Sequence, residues 1–234
     1  MRPSIMGAVD ARSHLQGWLK RDWAVPPIGL TLAQRVNFSP VAAAGYQAWR
    51  KRSLTWLTGA PLGLEREARL FLGQCRLRSG QRWLDVGTSS GFYAGLLSEA
   101  GCDVLAADLS PPMLAVARAR VHSPRVVWAR VNVEDSGMPD GDFDGVTIGA
   151  TLNETHDPQR LLSECARLVK PGGQLWMLYL SRTGGPVQRA LSSPALGGLN
   201  FPEPAQTARW LRPLVRENSV QIMNVTFERF VRSR

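Results

Sequence analysis

Two rhythms of apolar and polar residues alternate along most of this chain. From residue 81 onward, short apolar runs at 82–86, 103–107, 125–131, 143–149 and 174–180 have the length and bounding residues of buried strands. Amphipathic stretches separate them. Ser110 followed by Pro111 predicts an N-cap and a first-turn proline, with Met113, Leu114, Ala117 and Val121 on one helical face. Asp157 and Pro158 repeat that start signal. Behind them Leu161, Leu162, Cys165, Leu168 and Val169 form an inward stripe that is expected to end at Pro171, Gly172 and Gly173. Strand, helix, strand in regular succession predicts an α/β fold, a doubly wound and mostly parallel sheet with helices on both faces.

Outside this region the rhythm changes. Residues 1–80 lack the alternation and read as an N-terminal helical cover, with Leu64, Ala68, Phe71, Leu72 and Cys75 spaced to face the sheet. Trp49 and Trp56 are expected mainly as core fillers, with a pocket wall as the alternative. The stretch 182–204 is rich in Gly, Pro and Ser and predicts an excursion of loops with one short helix. Excursions of that length are usually functional or mobile. After it, Pro204 to Leu214 can form a helix, and 219–231 reads as two closing strands around Asn224, which brings the sheet to seven. The expected organisation is a cover or lid over residues 1–80 and a core over 81–234, with 182–204 as a substrate-side insertion.

A chain of 234 residues stays below the roughly 250–300 at which single cores tend to split. No run approaches the ~18 uncharged apolar residues of a membrane span. The first residues, interrupted by Asp10, Arg12 and His14, lack the apolar stretch of a secretory signal, so a cytoplasmic location is expected. Cys75, Cys102 and Cys165 form no CxxC or Cys/His cluster, and neither a disulfide framework nor a metal site is suggested. The net charge of +9 raises nucleic acid, an anionic membrane face or an acidic substrate as partners, but basic residues are scattered, with only Arg50 to Arg52 and the Arg229, Arg232, Arg234 tail standing out. A solvated basic surface is the simpler reading. The oligomeric state is not legible.

The most informative segment is RWLDVGTSSGFYAGLL, a strand, a glycine turn and a helix. Doubly wound sheets bind ligands beyond the carboxyl ends of their strands where strand order reverses. Gly87 and Gly91 let the backbone bend sharply while the following helix presents unpaired N–H groups. Asp108 ends the second strand 21 residues after Gly87, where a carboxylate can accept from both hydroxyls of a ribose. An adenosine-containing ligand follows. A dinucleotide fingerprint would need glycine at 87, 89 and 92, and the chain has Gly87, Ser89 and Phe92. The segment more closely resembles the methyltransferase pattern acid-x-G-x-G-x-G, with Asp85, Gly87 and Gly91 present and Ser89 the one departure. Asp85 and the turn amides are then expected to meet the ammonium and carboxylate of S-adenosylmethionine.

On these residues the chain resembles the class I, Rossmann-like methyltransferases, particularly the branch that includes quinone and other small-molecule methyltransferases. WLDVGTSSGFYA looks like that family's first motif and DLSPPML like its second, and the string from FDGVTIGATLNETHDPQRLLSECARLVKPGG is similar to its strand, loop, helix and PGG ending. The likeness covers about residues 80–180. It implies S-adenosylmethionine as cofactor and, beside Asp85, Gly87, Gly91 and Asp108, a site that includes Thr88, Ser89, Leu109, Met113, Asn132, Val133 and Ala150. The family usually has an acid at the adenine position, where this chain has Asn132. Its amide oxygen can still accept from the adenine amino group while the Val133 N–H donates to the ring, with Glu134 or Asp135 as substitutes if the loop shifts.

The loop ATLNETHDP would face the transferred methyl group, which makes Asn153, Glu154 and His156 candidates for substrate contact or proton abstraction. His156 also reads as an exposed residue beside a helix cap. Tyr46 resembles a tyrosine that closes over the cofactor in related enzymes. The function expected is in-line methyl transfer to a small, partly apolar acceptor, dominated by alignment and exclusion of water. Alternatives are an RNA or protein methyltransferase, favoured by charge but lacking the Asn/Asp-Pro-Pro-Tyr/Phe tetrad, a non-catalytic S-adenosylmethionine-binding protein, and a nicotinamide-dependent reductase.

Overall fold

The computed structural model describes residues 29–59 and 61–234, with the side chains of residues 47 and 56–58 set aside. The part of the expected cover in residues 1–28, and the Trp56 side chain, lie outside the described residues. Among the described residues, three helices precede the sheet: α1 (Leu32–Val36), α2 (Pro40–Thr58) and α3 (Leu64–Gln74). The order is then β1 (Arg82–Val86), α4 (Phe92–Glu99), β2 (Asp103–Asp108), α5 (Pro111–Arg120), β3 (Val126–Arg130), a single 3-10 turn (Val133–Asp135) and β4 (Phe143–Ile148). It closes with α6 (Thr151–Glu154), α7 (Pro158–Leu168), β5 (Val169–Leu180), α8 (Pro186–Ser192), α9 (Pro204–Trp210), β6 (Val215–Ile222) and β7 (Val225–Val231).

The seven strands lie in the order β3-β2-β1-β4-β5-β7-β6, parallel from β3 to β5, with β7 and β6 antiparallel at one edge. Strand order reverses between β1 and β4, so the carboxyl ends of those two strands open a crevice. The central strands are buried on both faces. Period-two alternation sends Leu84 and Val86 to the core shared with Leu161, Leu162 and Cys165 of α7. Trp83 goes to the other core, with Phe71 of α3 and Leu97 of α4. There Phe71 meets the rings of Trp83, Tyr93 and Trp176 at centroid distances of 6.3, 5.1 and 5.7 Å.

Helix starts follow their local chemistry. Ser110 Oγ accepts the Met113 N–H (3.2 Å) and Asp157 Oδ1 accepts the Arg160 N–H (2.9 Å), each followed by a proline at the first helical position. Several boundaries differ from expectation. Pro171, Gly172 and Gly173 do not end α7, which stops at Leu168; they bulge within β5, whose pairing steps from Phe143–Val169 to Gly145–Gln174. The α9 helix ends at Trp210, and the closing hairpin starts earlier, at Val215, turning at Met223 and Asn224. On α3, Leu72 is exposed while Glu67 is completely buried. Trp49 is 46% exposed and is no core filler. Among the described residues no helix is long and apolar enough to cross a membrane.

Gly145 has no room for a side chain, because a Cβ there would lie 2.4 Å from the Trp83 ring. Both belong to fully paired central strands, so neither can retreat. Gly145→Ala is therefore expected to cost about 2 kcal/mol, lowering the thermal midpoint by roughly 4–8 °C in a calorimetric melt. An unchanged midpoint would show that the Trp83 pocket is loosely packed.

Candidate functional site

The reversal of strand order leaves a cleft at the carboxyl ends of β1, β2 and β4, roofed by α1 and α2. Its floor is the turn Gly87–Ser90, and its sides are Asp108, Leu109, Ser110 and Met113 after β2, Val131, Asn132 and Val133 after β3, and Gly149 to Thr151 after β4. Phe38, Tyr46 and Arg50 face it from the cover. Thr88, Ser89, Asp108, Leu109, Met113, Asn132, Val133, Ala150, Gly87, Tyr46 and Glu154, all singled out from sequence, thus line one space.

The turn is backbone-strained. Gly87, Ser89 and Gly91 all have positive φ (61°, 52° and 77°), a conformation that a serine adopts at a cost. Asp108 holds it from one side: Oδ2 accepts the Ser89 N–H at 2.8 Å and Oδ1 accepts the Ser110 N–H at 2.9 Å. Burial raises the Asp108 carboxyl from its ordinary value, against these bonds and one from the Leu109 backbone.

Asp85 corrects the sequence reading. It is 1% exposed and stands beneath the turn, outside the cleft, where Thr88 Oγ1–H and the Ala94 N–H donate to Oδ2 (2.6 and 3.2 Å) and Thr147 Oγ1–H donates to Oδ1 (2.8 Å). The reason is strand alternation: Asp85 shares the Trp83 face and points under α4, not out of the strand tip. It meets no ligand. Gly91 is likewise absent from the cleft wall; it starts α4 in the left-handed region and lets Trp128, Val121 and Ala117 approach to 3.2–3.3 Å of where a Cβ would stand.

In the loop after β4 only one of three candidates reaches the cleft. The Asn153 side chain is 2% exposed and ties β5 to the excursion, donating to the carbonyls of Leu180 and Asn200 while accepting the Leu180 N–H. His156 is exposed, away from the cleft, with its ring against Gly29. Glu154 faces inward. Asn37 Nδ2–H donates to its Oε2 at 2.9 Å, and burial, with Asp108 adding, pushes its carboxyl up to about 7. Tyr46, pushed up to about 12 chiefly by burial, stays a phenol at neutral pH.

Asn132 caps the 3-10 turn, its Oδ1 accepting the Glu134 N–H at 3.1 Å, yet it still lines the cleft. Of the two proposed substitutes, Glu134 also lines the cleft and Asp135 does not. Glu134 Oε1 accepts from Thr155 Oγ1–H and from the N–H groups of His156 and Asp157, and exposed Asp135 pairs with Arg160 at 2.9 Å.

Sequence reasoning missed Asn37, Arg50 and Glu67. Arg50 pairs with Glu67 at 2.5 Å, and Tyr93 O–H donates to the same carboxylate oxygen at 2.7 Å. Burial alone would lower the Arg50 guanidinium, but Glu67 outweighs it and holds it above its ordinary range. The available signal was the position of Glu67, three residues after Leu64 and four before Phe71 on the buried stripe of α3.

Asp85 titrates near 6 when folded because its burial outweighs its hydrogen bonds, against 3.8 for the free side chain. The native state therefore binds that proton more tightly, and stability falls as pH rises from about 4 to about 6 and is level above. Asp85→Asn removes this dependence. The difference in melting temperature between the variant and the parent should shift in the variant's favour across that window and then stay constant to pH 8. An offset independent of pH would contradict the placement of the ionised carboxyl.

Comparison with known proteins agrees with this architecture. Residues 84–177 match a family model described as a methyltransferase domain. The ubiquinone biosynthesis O-methyltransferase of Xanthomonas oryzae pv. oryzae is 34% identical over 147 residues, 57% of this chain and 62% of the relative, so the chain spans about three fifths of such a relative's length. The protein of that name from Xanthomonas axonopodis pv. citri is 33% identical over 168 residues, 65% of this chain and 70% of its own length. In fold, the chain is similar to the Haemonchus contortus phosphoethanolamine N-methyltransferase 2 solved with phosphomonomethylethanolamine and S-adenosylhomocysteine, with a TM-score of 0.66 at 18% identity, covering 86% of this chain and 59% of that one. With a reversed-order seven-stranded sheet, a glycine turn at its switch point and relatives of this closeness, the chain belongs to the class I S-adenosylmethionine-dependent methyltransferases.

Proposed function

We propose that the chain binds S-adenosylmethionine in the cleft and methylates a small, partly apolar acceptor. The observation that carries the cofactor assignment is the distribution of charge. Asp108 lies where a ribose can donate to its carboxylate, and Arg50 is the sole cation among the described residues lining the cleft. A site with one guanidinium suits a single carboxylate and offers little to a pair of phosphates. Met113, Leu109, Val133 and Leu161 supply apolar walls for a purine, and Asn132 with the Val133 N–H supplies polar contacts at its edge. Asp85 and Gly91 act through the turn, holding its shape from outside.

When bound, the cofactor supplies a methyl group already activated by its sulfonium. The chain's own task is then alignment and exclusion of water, which can contribute roughly 7–11 kcal/mol in favourable cases. The cover fits the role of a lid. The free volume of the cleft is about 90 Å³, well under the roughly 300 Å³ and more of ordinary ligand pockets; α1 and α2 must lift to admit a nucleoside. The same charge distribution argues against a polyanionic acceptor, since the basic excess is not gathered at this mouth. Small-molecule methylation is also what the names of the Xanthomonas relatives describe. Three buried free cysteines accord with a reducing, cytoplasmic setting.

Calorimetric titration tests the cofactor assignment. S-adenosylhomocysteine is expected to bind and NADH not to. Asp108→Asn, which keeps the shape but halves the acceptor capacity and removes the charge, should weaken S-adenosylhomocysteine about 10- to 100-fold. Binding of NADH in preference, or an Asp108→Asn variant of undiminished affinity, would overturn the assignment.

A further inference from the structure

One residue of the cover is bonded to both sides of the cleft. Asn37, the C-cap of α1, accepts from Ser110 Oγ–H through its backbone carbonyl (2.5 Å) and donates through its side chain to Glu154 Oε2 (2.9 Å). Ser110 follows β2 and Glu154 follows β4, the two strands that flank β1, so the glycine turn lies between these bonds. The other end of α1 is fastened too. Thr31, its N-cap, donates from Oγ1–H to the Glu154 backbone carbonyl at 2.8 Å, and the Ala33 N–H donates to the Gly197 carbonyl of the excursion at 3.2 Å. The helix is thus a cross-piece over a cleft whose free volume, about 90 Å³, is too small for a nucleoside.

Taking the cleft as the cofactor site, we infer that α1 is a strap across it, fastened through Asn37 to both walls, and that the proton on Glu154 works it: the neutral carboxyl keeps the strap closed and ionisation releases it. Among the described residues Asn37 Nδ2–H is the one side-chain donor that the Glu154 carboxylate meets. The titratable and charged groups that share the cleft with it are Asp108 after β2, Glu134 after β3, and Tyr46 and Arg50 on α2. None of them compensates its charge. Asp108 opposes it, Glu134 is engaged by the N–H groups of His156 and Asp157, Tyr46 stays a phenol, and Arg50 is paired with Glu67. His156, two residues further on, turns its ring to Gly29.

The two forms of Glu154 differ in what closure costs them. An ionised carboxylate under the strap stands beside Asp108 with one amide bond, and lifting α1 gives it water instead. A neutral carboxyl loses nothing by staying, because a proton on Oε1 leaves Oε2 free to accept from Asn37. The direction of the pH dependence follows. With the strap closed, burial and then Asp108 push the Glu154 carboxyl up to about 7, against 4.5 for the solvated side chain. The closed form holds the proton more tightly, so closure is favoured in acid, weakens as pH rises from about 4.5 to about 7, and is level above.

Hydrogen exchange followed by mass spectrometry on the unliganded protein tests the strap without any ligand. Once the intrinsic pH dependence of exchange is divided out, the peptide over residues 31–39 should be about 10-fold better protected at pH 6 than at pH 8. Glu154→Gln, whose amide oxygen still accepts from Asn37 but carries no charge, should keep the pH 6 protection at both values. Asn37→Ala, which cuts the tie to Glu154 and retains the backbone bond to Ser110, should lose it at both. Stopped-flow displacement of S-adenosylhomocysteine gives the functional readout: release should be about 10-fold faster at pH 8 than at pH 6 from the parent, slow at both from Glu154→Gln and fast at both from Asn37→Ala. Equal protection of residues 31–39 at the two pH values in the parent, or a pH dependence that survives in Glu154→Gln, overturns the inference. Protection that changes as expected in a protein that ignores S-adenosylhomocysteine would leave the strap standing and sink the cofactor assignment.

Discussion

A buried carboxylate with three donors holds the cleft together. Asp85 gathers a hydroxyl from the glycine turn, an amide from α4 and a hydroxyl from β4, so one side chain fixes the relative positions of the three elements that meet at the switch point. The turn needs that support, since three of its five residues from 87 to 91 sit in the left-handed region and one of them is a serine. Ionising Asp85 so far from water is unfavourable, and the hydrogen bonds only partly offset it. The two aspartates therefore divide their work. Asp85 spends its acceptors on the fold beneath the turn, while Asp108, clasping the turn from the side, faces the space above it.

A second buried charge fixes the roof. Glu67 on α3 is inaccessible and binds Arg50 of α2 and the Tyr93 phenol of α4, while Trp176 Nε1–H donates to that phenol at 3.3 Å. Breaking a buried pair of this kind by removing one partner typically costs about 3–5 kcal/mol, because the other charge is stranded. Its consequence for the site is positional. Tyr46 and Arg50 are four residues apart on α2 and so share a helical face; anchoring Arg50 to Glu67 presents Tyr46 to the cleft. The ion pair joins α2 to α3 and the Tyr93 bond extends that tie to α4, while Thr31 and Asn37 tie the start of the cover to Glu154.

What the sequence made legible was local. Strand runs, the Ser110 and Asp157 caps and the reversed acidic strand end at Asp108 depend on neighbours within a few residues, and they appear in the structure where periodicity places them. The failures involve direction and distance. Asp85 shares the Trp83 face of β1 by alternation, which sets it beneath the turn, and Thr147, a hydroxyl in an otherwise apolar run, is its signal across the β1–β4 pair. The Pro171-Gly172-Gly173 stretch looked like a stop, yet Gly173 sits where a Cβ would press on the carbonyls of Asp144 and Lys170, which is the demand of a bulge. Arg50 with Glu67 and Asn37 with Glu154 join residues 17 and 117 positions apart, and no local pattern encodes such pairs.

The basic composition acquires a different meaning once its side chains are placed. Arg82 pairs with Asp142, Arg125 with Asp103, Arg167 with Glu164, and Arg216 with the buried Glu228. Arg232 donates to the carbonyls of Ala166, Arg167 and Val169, finishing the end of α7 and the start of β5. Much of the arginine is thus structural, and the cleft itself departs from the average of the chain. Among its described lining residues stand Asp108, Glu134 and Glu154 against Arg50 alone. On the proposed reading, an acidic pocket within a basic protein would oppose two phosphates and favour a ligand whose ammonium and sulfonium outnumber its one carboxylate. That selectivity comes from the residues around the glycine turn as much as from the turn's shape, which is why a single serine in place of glycine leaves the assignment intact.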